Sequence, residues 1–392
     1  MDIFEKCAGY TIAKEALAAG TYPYFIPMTE SEGTEAVFQG RRLIMCGSNN
    51  YLGLTADPRV RQASIAAIQR FGTSCTGSRF LNGTLELHEQ LEHELAEWVG
   101  KEAALVFSTG MQTNLGAIGA IVCRGDVVVL DKDDHASIVD GARLGWGEVK
   151  RFRHNDMADL ERVLVGIPEK SGRLVVVDGL YSMGGDIVPL PDLVAVCKKY
   201  GARLMLDDAH ALGVLGGGRG TAAHFGLTGS VDLIMSTFSK SFASLGGFIA
   251  GDEPVIHYIK HHARSLIFSA SIPAANAAAA LAALQIMRSE PEHVERLAQI
   301  GSYMRDNYRR LGFNIGNTES PIIPILIGND EATLLAWKLL FDNGVFVNPI
   351  LSPAVPAGKQ LQRTSYMATH TDQQLDYVLE CFARVGKQIG LI

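Results

Sequence analysis

Between about residues 56 and 285, short apolar runs alternate with segments that have a helical repeat. The runs are bounded by Gly, Asp or Ser and read "AALVFSTG", "DVVVLD", "RLVVVDG", "ARLMLDD", "VDLIMS" and "GGFIAGD". Runs that are apolar at nearly every position are typical of strands covered on both faces, as in a largely parallel sheet. Between them, "DPRVRQASIAAIQRFG" and "LPDLVAVCKKYG" have helical spacing and end in glycine. The pattern predicts an α/β layered domain.

After about residue 285 the pattern changes. A longer amphipathic helix is predicted over "PEHVERLAQIGSYMRDNYRRLG", followed by strand "PIIPILIG", helix "DEATLLAWKLLFDNG" and strand "VFVNPI". In the last predicted helix, Thr371 and Gln374 have the spacing of a capping box. We therefore predict an N-terminal arm (1–50), a large α/β domain (51–285) and a small α+β domain (286–392).

Length and charge narrow the class of protein. A chain of 392 residues exceeds what one core usually holds, which favours two domains. Its 47% hydrophobic and 20% charged residues are typical of a globular protein, and a net charge of -7 without a basic block argues against nucleic acid. The N-terminus lacks the pattern of a secretory signal, and the apolar stretches are too short to span a bilayer. We expect a cytoplasmic protein without a transmembrane segment.

Three familiar metal and cofactor patterns are rejected. The six cysteines are scattered without a CxxC pair, which predicts free thiols and no zinc site. In "HEQLEHE", His88 and His93 are five residues apart and cannot share a metal, so we interpret this segment as a solvated helix face. "GVLGGGRG" lacks the glycine spacing of a dinucleotide site. No metal is expected.

Polar residues follow several of the predicted strands. Open α/β sheets bind ligands at the carboxyl ends of their strands. The residues at these ends are His135, Asp178, Ser182, Asp207, His210, Thr237, Ser239 and Lys240. In addition, "FSTGMQTN" places Ser108, Thr109 and Gly110 at a predicted helix N-terminus, where backbone N–H groups favour a phosphate.

These residues suit the chemistry of pyridoxal 5'-phosphate (PLP). This cofactor needs a lysine for a Schiff base and a carboxylate on its pyridine nitrogen. Lys240, Asp207 and His135 supply the amine, the carboxylate and a flat group to lie over the ring. The hydroxyls of Thr237 and Ser239 lie close to where the phosphate must sit if Lys240 holds the aldehyde carbon. The sequence therefore predicts a PLP site.

The chain resembles the α-oxoamine synthases over essentially its whole length. The motifs are "GSNNYLGL", "GTSCTGSRFLNGT", "DHASIVDGARL", "DDAHALGVLG", "FSASIP" and "RTSYMATHT", in this order. "TFSKSFASLGGF", "ARSLIFSAS" and "NPILSPAVPAG" are similar to the branch that uses serine. The resemblance implies a fold-type I PLP transferase with a mostly parallel seven-stranded sheet. It also implies condensation of L-serine with palmitoyl-CoA or another long-chain acyl-CoA to 3-oxosphinganine, CoA and CO2, the first step of sphingolipid synthesis.

Matching positions carry the expected roles. Lys240 would hold the cofactor and take the Cα proton, His135 would stack on the ring and bind the substrate carboxylate, and Asp207 would pair with the ring nitrogen. His210 would contact the ring oxygen. The other expected cofactor contacts are Gly110, Met111, Ser182, Thr237 and Ser239. The expected substrate contacts are Asn49, Ser78 and Arg363. Ser271 matches a residue that reaches the phosphate of the neighbouring subunit, which implies a homodimer with shared active sites.

Three departures from the family pattern and three alternatives stay open. Ser236 stands where glycine is usual, Phe242 where leucine is usual and Met111 where an aromatic residue is common. The main alternative is an α-oxoamine synthase that uses glycine or alanine. An aminotransferase of the same fold fits "RTSYMATHT" less well, and a non-enzyme is disfavoured by the intact catalytic residues. The acyl-chain length and peripheral membrane contact are left open by the sequence.

Overall fold

The computed structural model describes residues 2–392 of the protein. Its strands are β1 (Met28–Glu32), β2 (Glu35–Phe38), β3 (Arg41–Met45), β4 (Ala103–Phe107), β5 (Val127–Asp131), β6 (Glu148–Phe152), β7 (Arg173–Asp178), β8 (Arg203–Asp207), β9 (Leu233–Thr237), β10 (Gly247–Gly251), β11 (Ile322–Leu326), β12 (Val345–Phe346), β13 (Asn348–Ile350) and β14 (Leu361–Ser365).

The α-helices are α1 (Glu5–Ala8), α2 (Ile12–Ala18), α3 (Pro58–Phe71), α4 (Glu86–Val99), α5 (Gly110–Ile121), α6 (Ala136–Leu144), α7 (Met157–Val165), α8 (Leu190–Lys199), α9 (Thr221–His224), α10 (Glu253–His262), α11 (Arg264–Ile267), α12 (Ala274–Ser289), α13 (Glu292–Arg310), α14 (Asp330–Asp342) and α15 (Asp372–Gln388). Within residues 2–392, no helix combines the length and the apolar character needed to cross a bilayer.

The central sheet has seven strands in the order β4-β10-β9-β8-β7-β5-β6. Strands β6, β5, β7, β8 and β9 are parallel, whereas β10 is antiparallel to both of its neighbours. Alternate residues of the strands pack into two different cores: Val127 and Val129 on one face, Val128 and Leu130 on the other. Burial on both faces is why the strands read as continuous apolar runs. The predicted fold-type I architecture is confirmed.

Strand β6 was not predicted from the sequence. It is the edge strand of the central sheet and reads "EVKRF", in which Phe152 is buried and most of the other residues are exposed. An edge strand buries little apolar surface and often carries charged residues. Strand β6 therefore lacks the continuous apolar run from which the other strands of the central sheet were predicted.

The remaining strands form two smaller sheets, β1-β2-β3-β12 and β11-β14-β13. The prediction that "VFVNPI" forms a single strand is wrong. This segment forms two strands in different sheets, because β12 pairs with β3 and β13 pairs with β14. Strands β2 and β3 share a core with α13, α14 and α15. The division into an arm and two domains stays a prediction, and Met1 of the arm lies outside the described residues.

Side-chain hydrogen bonds cap the N-termini of two helices, α15 and α4. At α15, Gln374 N donates to Thr371 Oγ1 at 3.2 Å and Thr371 N donates to Gln374 Oε1 at 3.1 Å, as the capping box predicts. At α4, Leu85 N donates to His88 Nδ1, and His88 Nε2 therefore donates to the carbonyl of Ile272. His88 is fully buried while His93 is exposed, so the prediction of a solvated face was wrong for His88.

Candidate active site

A cavity of about 220 Å³ lies at the carboxyl ends of the central strands. Its lining brings together eight of the predicted site residues: Gly110, Met111, His135, Asp207, His210, Thr237, Ser239 and Lys240. Asp178 also lines it, as do Asn114 and Ser137. The parallel arrangement of β5, β7, β8 and β9 places these loops at one edge of the sheet, which is why residues distant in sequence meet here.

Lys240 lies three residues beyond the end of β9 and is half-buried. Burial disfavours its ammonium form and lowers its pKa to about 8, although the carboxylates of Asp207 and Asp178 act in the opposite direction. A lysine with this pKa is partly neutral at physiological pH. It can therefore act as a nucleophile or as a proton acceptor.

Asp207 is the last residue of β8 and is only 2% exposed. Its Oδ2 accepts from Asn114 Nδ2 at 2.8 Å, and its Oδ1 accepts from Ala209 N at 3.0 Å. These two donors fix the plane of the carboxylate within the cavity wall. Asn114 was not identified from the sequence. The available signal was an amide on the mainly apolar, buried face of α5, next to Thr113.

His135 is the N-cap residue of α6, and its ring is anchored at Nδ1. Ser137 N donates to His135 Nδ1 at 3.2 Å, so Nδ1 is an acceptor and the proton of the neutral ring is on Nε2. Burial lowers the pKa of His135, against the opposing charge of Asp207. The backbone N–H of His135 donates to Asp178 Oδ2 at 2.8 Å. A neutral ring with a free Nε2–H results.

The N-terminus of α5 and the end of β9 form one side of the cavity, and their donor groups are suited to bind an anion. Thr109 caps α5 by accepting from Gln112 N at 3.1 Å, and the first-turn N–H groups lack intrahelical acceptors. A Cβ at Gly110 would lie 2.9 Å from Thr237 Oγ1, so only glycine lets the two segments approach this closely. Thr237 Oγ1 and Ser239 Oγ are 2.9 Å apart. Ser108, by contrast, donates to Ala270 O and is not part of the lining.

A chain of hydrogen bonds leads from the cavity to Arg363. His210 Nδ1 is 2.7 Å from Tyr51 OH, which donates to Asn49 Oδ1 at 3.3 Å. Arg363 Nη2 donates to the same Asn49 oxygen at 3.0 Å, and Arg363 Nε donates to the carbonyl of Ser182 at 2.6 Å. Asn49, Ser182 and Arg363 thus lie beyond the cavity lining, and Ser182 contributes its carbonyl to this chain.

Ser78 and Ser271 lie together at the loop 77–83. Ser271 N donates to the carbonyl of Gly77 at 2.9 Å, and a Cβ at Gly83 would lie 2.6 Å from Ser271 Oγ. The hydroxyls of both serines are buried without a hydrogen-bond partner in the described chain. Because buried hydroxyls are rarely left unpaired, these two are available to a ligand or to a second subunit. Their expected roles stay predictions.

The residues of the cavity fit PLP. A lysine with a lowered pKa, a carboxylate held in one plane and a helix N-terminus with two hydroxyls line the same space. These groups would bind the aldehyde carbon, the ring nitrogen and the phosphate of the cofactor, respectively.

The class I and II aminotransferase family model matches residues 41–382. The chain belongs to this family. It is 53% identical over 385 residues to a serine palmitoyltransferase of Sphingobacterium spiritivorum, covering 98% of this chain and 96% of that protein. An 8-amino-7-oxononanoate synthase of Symbiobacterium thermophilum is 42% identical, over 95% and 96% of the two chains. A solved serine palmitoyltransferase of S. paucimobilis with PLP and myriocin bound has a TM-score of 0.97, 38% identity and full coverage of both chains.

These similarities confirm the α-oxoamine synthase resemblance. The protein is a PLP-dependent acyltransferase of fold-type I, and pyridoxal phosphate is its cofactor, as the cavity residues predicted. Which amino acid and which acyl-CoA it uses is a separate question, because relatives with two different names share its fold and most of its length.

Proposed function

We propose that the protein condenses L-serine with palmitoyl-CoA or a similar long-chain acyl-CoA. The products would be 3-oxosphinganine, CoA and CO2, and the reaction would be the first step of sphingolipid synthesis. The observation that carries the proposal is a large apolar cavity beside the Asn49–Arg363 pair. The six free cysteines suit a reducing cytoplasm, where we place the reaction.

This apolar cavity has a volume of about 650 Å³, within the range of about 300–1,000 Å³ that is usual for ligand pockets. Its lining includes Gly47, Ser48 and Asn50, which are neighbours of Asn49 in the chain. Its apolar lining comprises Pro23, Tyr24, Phe25, Ile26, Met28, Phe38, Met45, Phe346 and Met367. Each methylene buried there contributes up to about 0.8 kcal/mol, which favours a long acyl chain over acetyl.

Arg363 is suited to hold the carboxylate of the amino acid. Its Nε and Nη2 are fixed by Ser182 O and Asn49 Oδ1, and in the described part of the chain Nη1 has no protein acceptor. A guanidinium held in one plane binds a carboxylate with defined geometry, which orients the Cα bonds relative to the cavity. His135 offers its free Nε2–H to the same carboxylate.

Lys240 is suited to move the Cα proton. The bound cofactor supplies an electron sink for the charge that develops at Cα. The lowered pKa of Lys240 leaves part of the amine neutral, so its Nζ can accept that proton near neutral pH. Asp207, held by Asn114 and Ala209 N, provides a fixed negative charge at the far side of the cavity.

The substrate pair is tested by measuring kcat/KM for serine, glycine and alanine, each with palmitoyl-, pimeloyl- and acetyl-CoA. We expect serine with palmitoyl-CoA to give the highest value. Serine should exceed glycine and alanine because polar groups placed for its hydroxyl would be left unpaired by either analogue. Our candidates for these groups are Ser78, whose Oγ has no partner in the described chain, and His135.

A cavity variant separates the acyl site from the amino-acid site. Met28 is 54% exposed at the cavity wall, and the larger side chain of Met28→Trp narrows the space. It should lower kcat/KM for palmitoyl-CoA more than for acetyl-CoA and leave the KM for serine unchanged, whereas Met28→Leu should have little effect. If glycine with a short acyl-CoA is the best pair, the serine palmitoyltransferase proposal is wrong and the α-oxoamine synthase assignment survives.

We also propose a homodimer with shared active sites. Beside the unpartnered hydroxyl of Ser271, three large apolar residues are exposed: Phe80 by 56%, Leu81 by 77% and Phe268 by 74%. Exposed apolar residues grouped around a buried, unpaired hydroxyl favour a protein partner at this surface. A second copy of the chain would cover them and use Ser271 in its own cofactor site.

Complementation between two inactive subunits tests this arrangement. A Lys240→Ala chain co-expressed with a Ser271→Asp chain should form heterodimers in which one site has both intact residues. Random pairing then restores about a quarter of the wild-type sites, while each variant alone stays inactive. A fully active monomer in ultracentrifugation, or a mixture no more active than its parts, would contradict the shared site.

A further inference from the structure

We propose that His154 is a positioning residue that fixes both elements holding the amino-acid substrate. It joins the turn 181–186, which holds Arg363, to the loop 131–135, which carries His135. The inference rests on the proposed function only in that a substrate carboxylate must bind at Arg363.

His154 uses both ring nitrogens. Nδ1 is 3.0 Å from Asp131 Oδ1, and Nε2 is 2.8 Å from Asp186 Oδ2. Ionised carboxylates only accept hydrogen bonds, so both nitrogens must donate and the ring is an imidazolium. Burial disfavours this charge, but the hydrogen bonds to Asp131 and Asp186 outweigh it and raise the pKa to about 10. Asp133 lies 3.9 Å away, and the ring of Tyr181 packs edge-on. Asn155 Nδ2 is 3.4 Å from His154 Nε2, and Asn155 also donates to Asp131 Oδ2 and to Asp186 Oδ2.

The first branch runs from His154 to His135. Asp131 is fully buried, and its backbone N–H donates to Asp134 Oδ2 at 2.9 Å. The other oxygen of Asp134 accepts from Asp178 N at 3.1 Å, and Asp178 Oδ2 accepts from His135 N at 2.8 Å. Burial raises the pKa of Asp134 and of Asp178. A raised pKa favours the neutral carboxyl, so this branch is carried by its hydrogen bonds and not by charge.

The second branch runs from His154 to Arg363. The turn 181–186 is closed by a hydrogen bond in which Tyr181 N donates to the backbone carbonyl of Asp186 at 3.0 Å. Ser182, within this turn, accepts from Arg363 Nε. Holding Asp186 therefore holds the carbonyl that sets the plane of the guanidinium.

His154→Gln removes the charge and at least one of the two hydrogen bonds. We expect the KM for L-serine to rise about tenfold or more, because small displacements of positioning groups cost up to about a hundredfold. The KM for acyl-CoA should change by less than about threefold, since the apolar cavity is lined by other segments. Calorimetric titration of L-serine should show the same loss of affinity without turnover. The dissociation constant of PLP, from fluorescence quenching of the apoprotein, should change little.

Three further variants separate positioning from stability. Leu160→Ala removes a fully buried side chain of α7 and lowers the melting temperature without touching the network. It should leave the serine affinity unchanged. His154→Arg keeps a charge and two donors and should recover part of the affinity. If His154→Gln does not fold, Asp186→Asn takes its place, because it is a milder change at a half-buried site. Asp186→Asn should also raise the KM for L-serine.

The proposal is overturned if the foldable variants leave serine affinity unchanged, or if Leu160→Ala weakens it equally at an equal loss of melting temperature. If the wild-type enzyme prefers glycine or alanine, the same titrations use that amino acid. Its carboxylate still binds Arg363, so failure of the serine assignment and failure of the His154 proposal are distinguishable.

Discussion

Lys240→Ala is expected to abolish multiple turnover while leaving a folded protein. In the described chain Lys240 is the one lysine in the cavity lining, so no second amine can replace it. Asp207, the α5 N-terminus and the two hydroxyls stay in place, and the variant should still bind the cofactor non-covalently. Borohydride reduction should fix the cofactor to the peptide containing Lys240 in the wild-type protein and not in the variant. Normal turnover by Lys240→Ala would show that the assignment is wrong.

The lowered pKa of Lys240 can be tested through the pH dependence of cofactor capture. Capture of the cofactor aldehyde needs the neutral amine, and burial lowers the pKa of Lys240 from 10.5 to about 8. The rate of capture by the apoprotein, followed by visible absorbance, should therefore rise with pH through a midpoint at about 8 and level off at higher pH. Lys260→Ala, at an exposed lysine, should behave as the wild type. A midpoint near 10.5 would contradict the effect of burial.

The sequence placed Lys240, Asp207 and His135 in one site because parallel strands end at the same edge of a sheet. That argument needs only strand identity and direction. Strand identity and direction did not identify Asn114 or Tyr51 as site residues. Their roles depend on how a helix and an N-terminal loop pack over the strand ends. Ser108 illustrates the same limit, since its hydroxyl donates to Ala270 O rather than lining the cavity.

Strand β6 and the split of β12 from β13 were missed for a related reason. An edge strand and two very short strands bury little apolar surface of their own, so their periodicity is weak. His154 directly follows this region, and its two carboxylate partners are 23 and 32 residues away, at the end of β5 and in the turn 181–186. A lone histidine after an unrecognised strand has no local signal that indicates such a pairing.

Asp207→Asn is expected to lower kcat/KM about a hundredfold or more, about 3 kcal/mol, with little change in structure. The substitution removes the negative charge that we expect to pair with the ring nitrogen, and it keeps the shape of the side chain. The amide oxygen of the substituted side chain can still accept from Ala209 N, as the carboxylate does. Asn114 can also adapt, because its Oδ1 is buried without a partner in the described chain and a flipped amide would accept from the new side chain. The loss of kcat/KM would therefore measure the effect of the negative charge of Asp207.

Asn114→Ala provides the matched control for this interpretation. It removes the donor that Asp207 Oδ2 and Ser137 Oγ share, and it leaves the charge of Asp207 in place. If charge is what the reaction needs, Asn114→Ala should cost far less than Asp207→Asn, and the visible spectrum of its bound cofactor should stay close to that of the wild type. Equal losses in the two variants would mean that orientation of the carboxylate matters more than its charge. An unimpaired Asp207→Asn enzyme would remove the basis for pairing Asp207 with the ring nitrogen. Among the described residues, the cavity lining has only one other acidic side chain, Asp178, and it already accepts from His135 N.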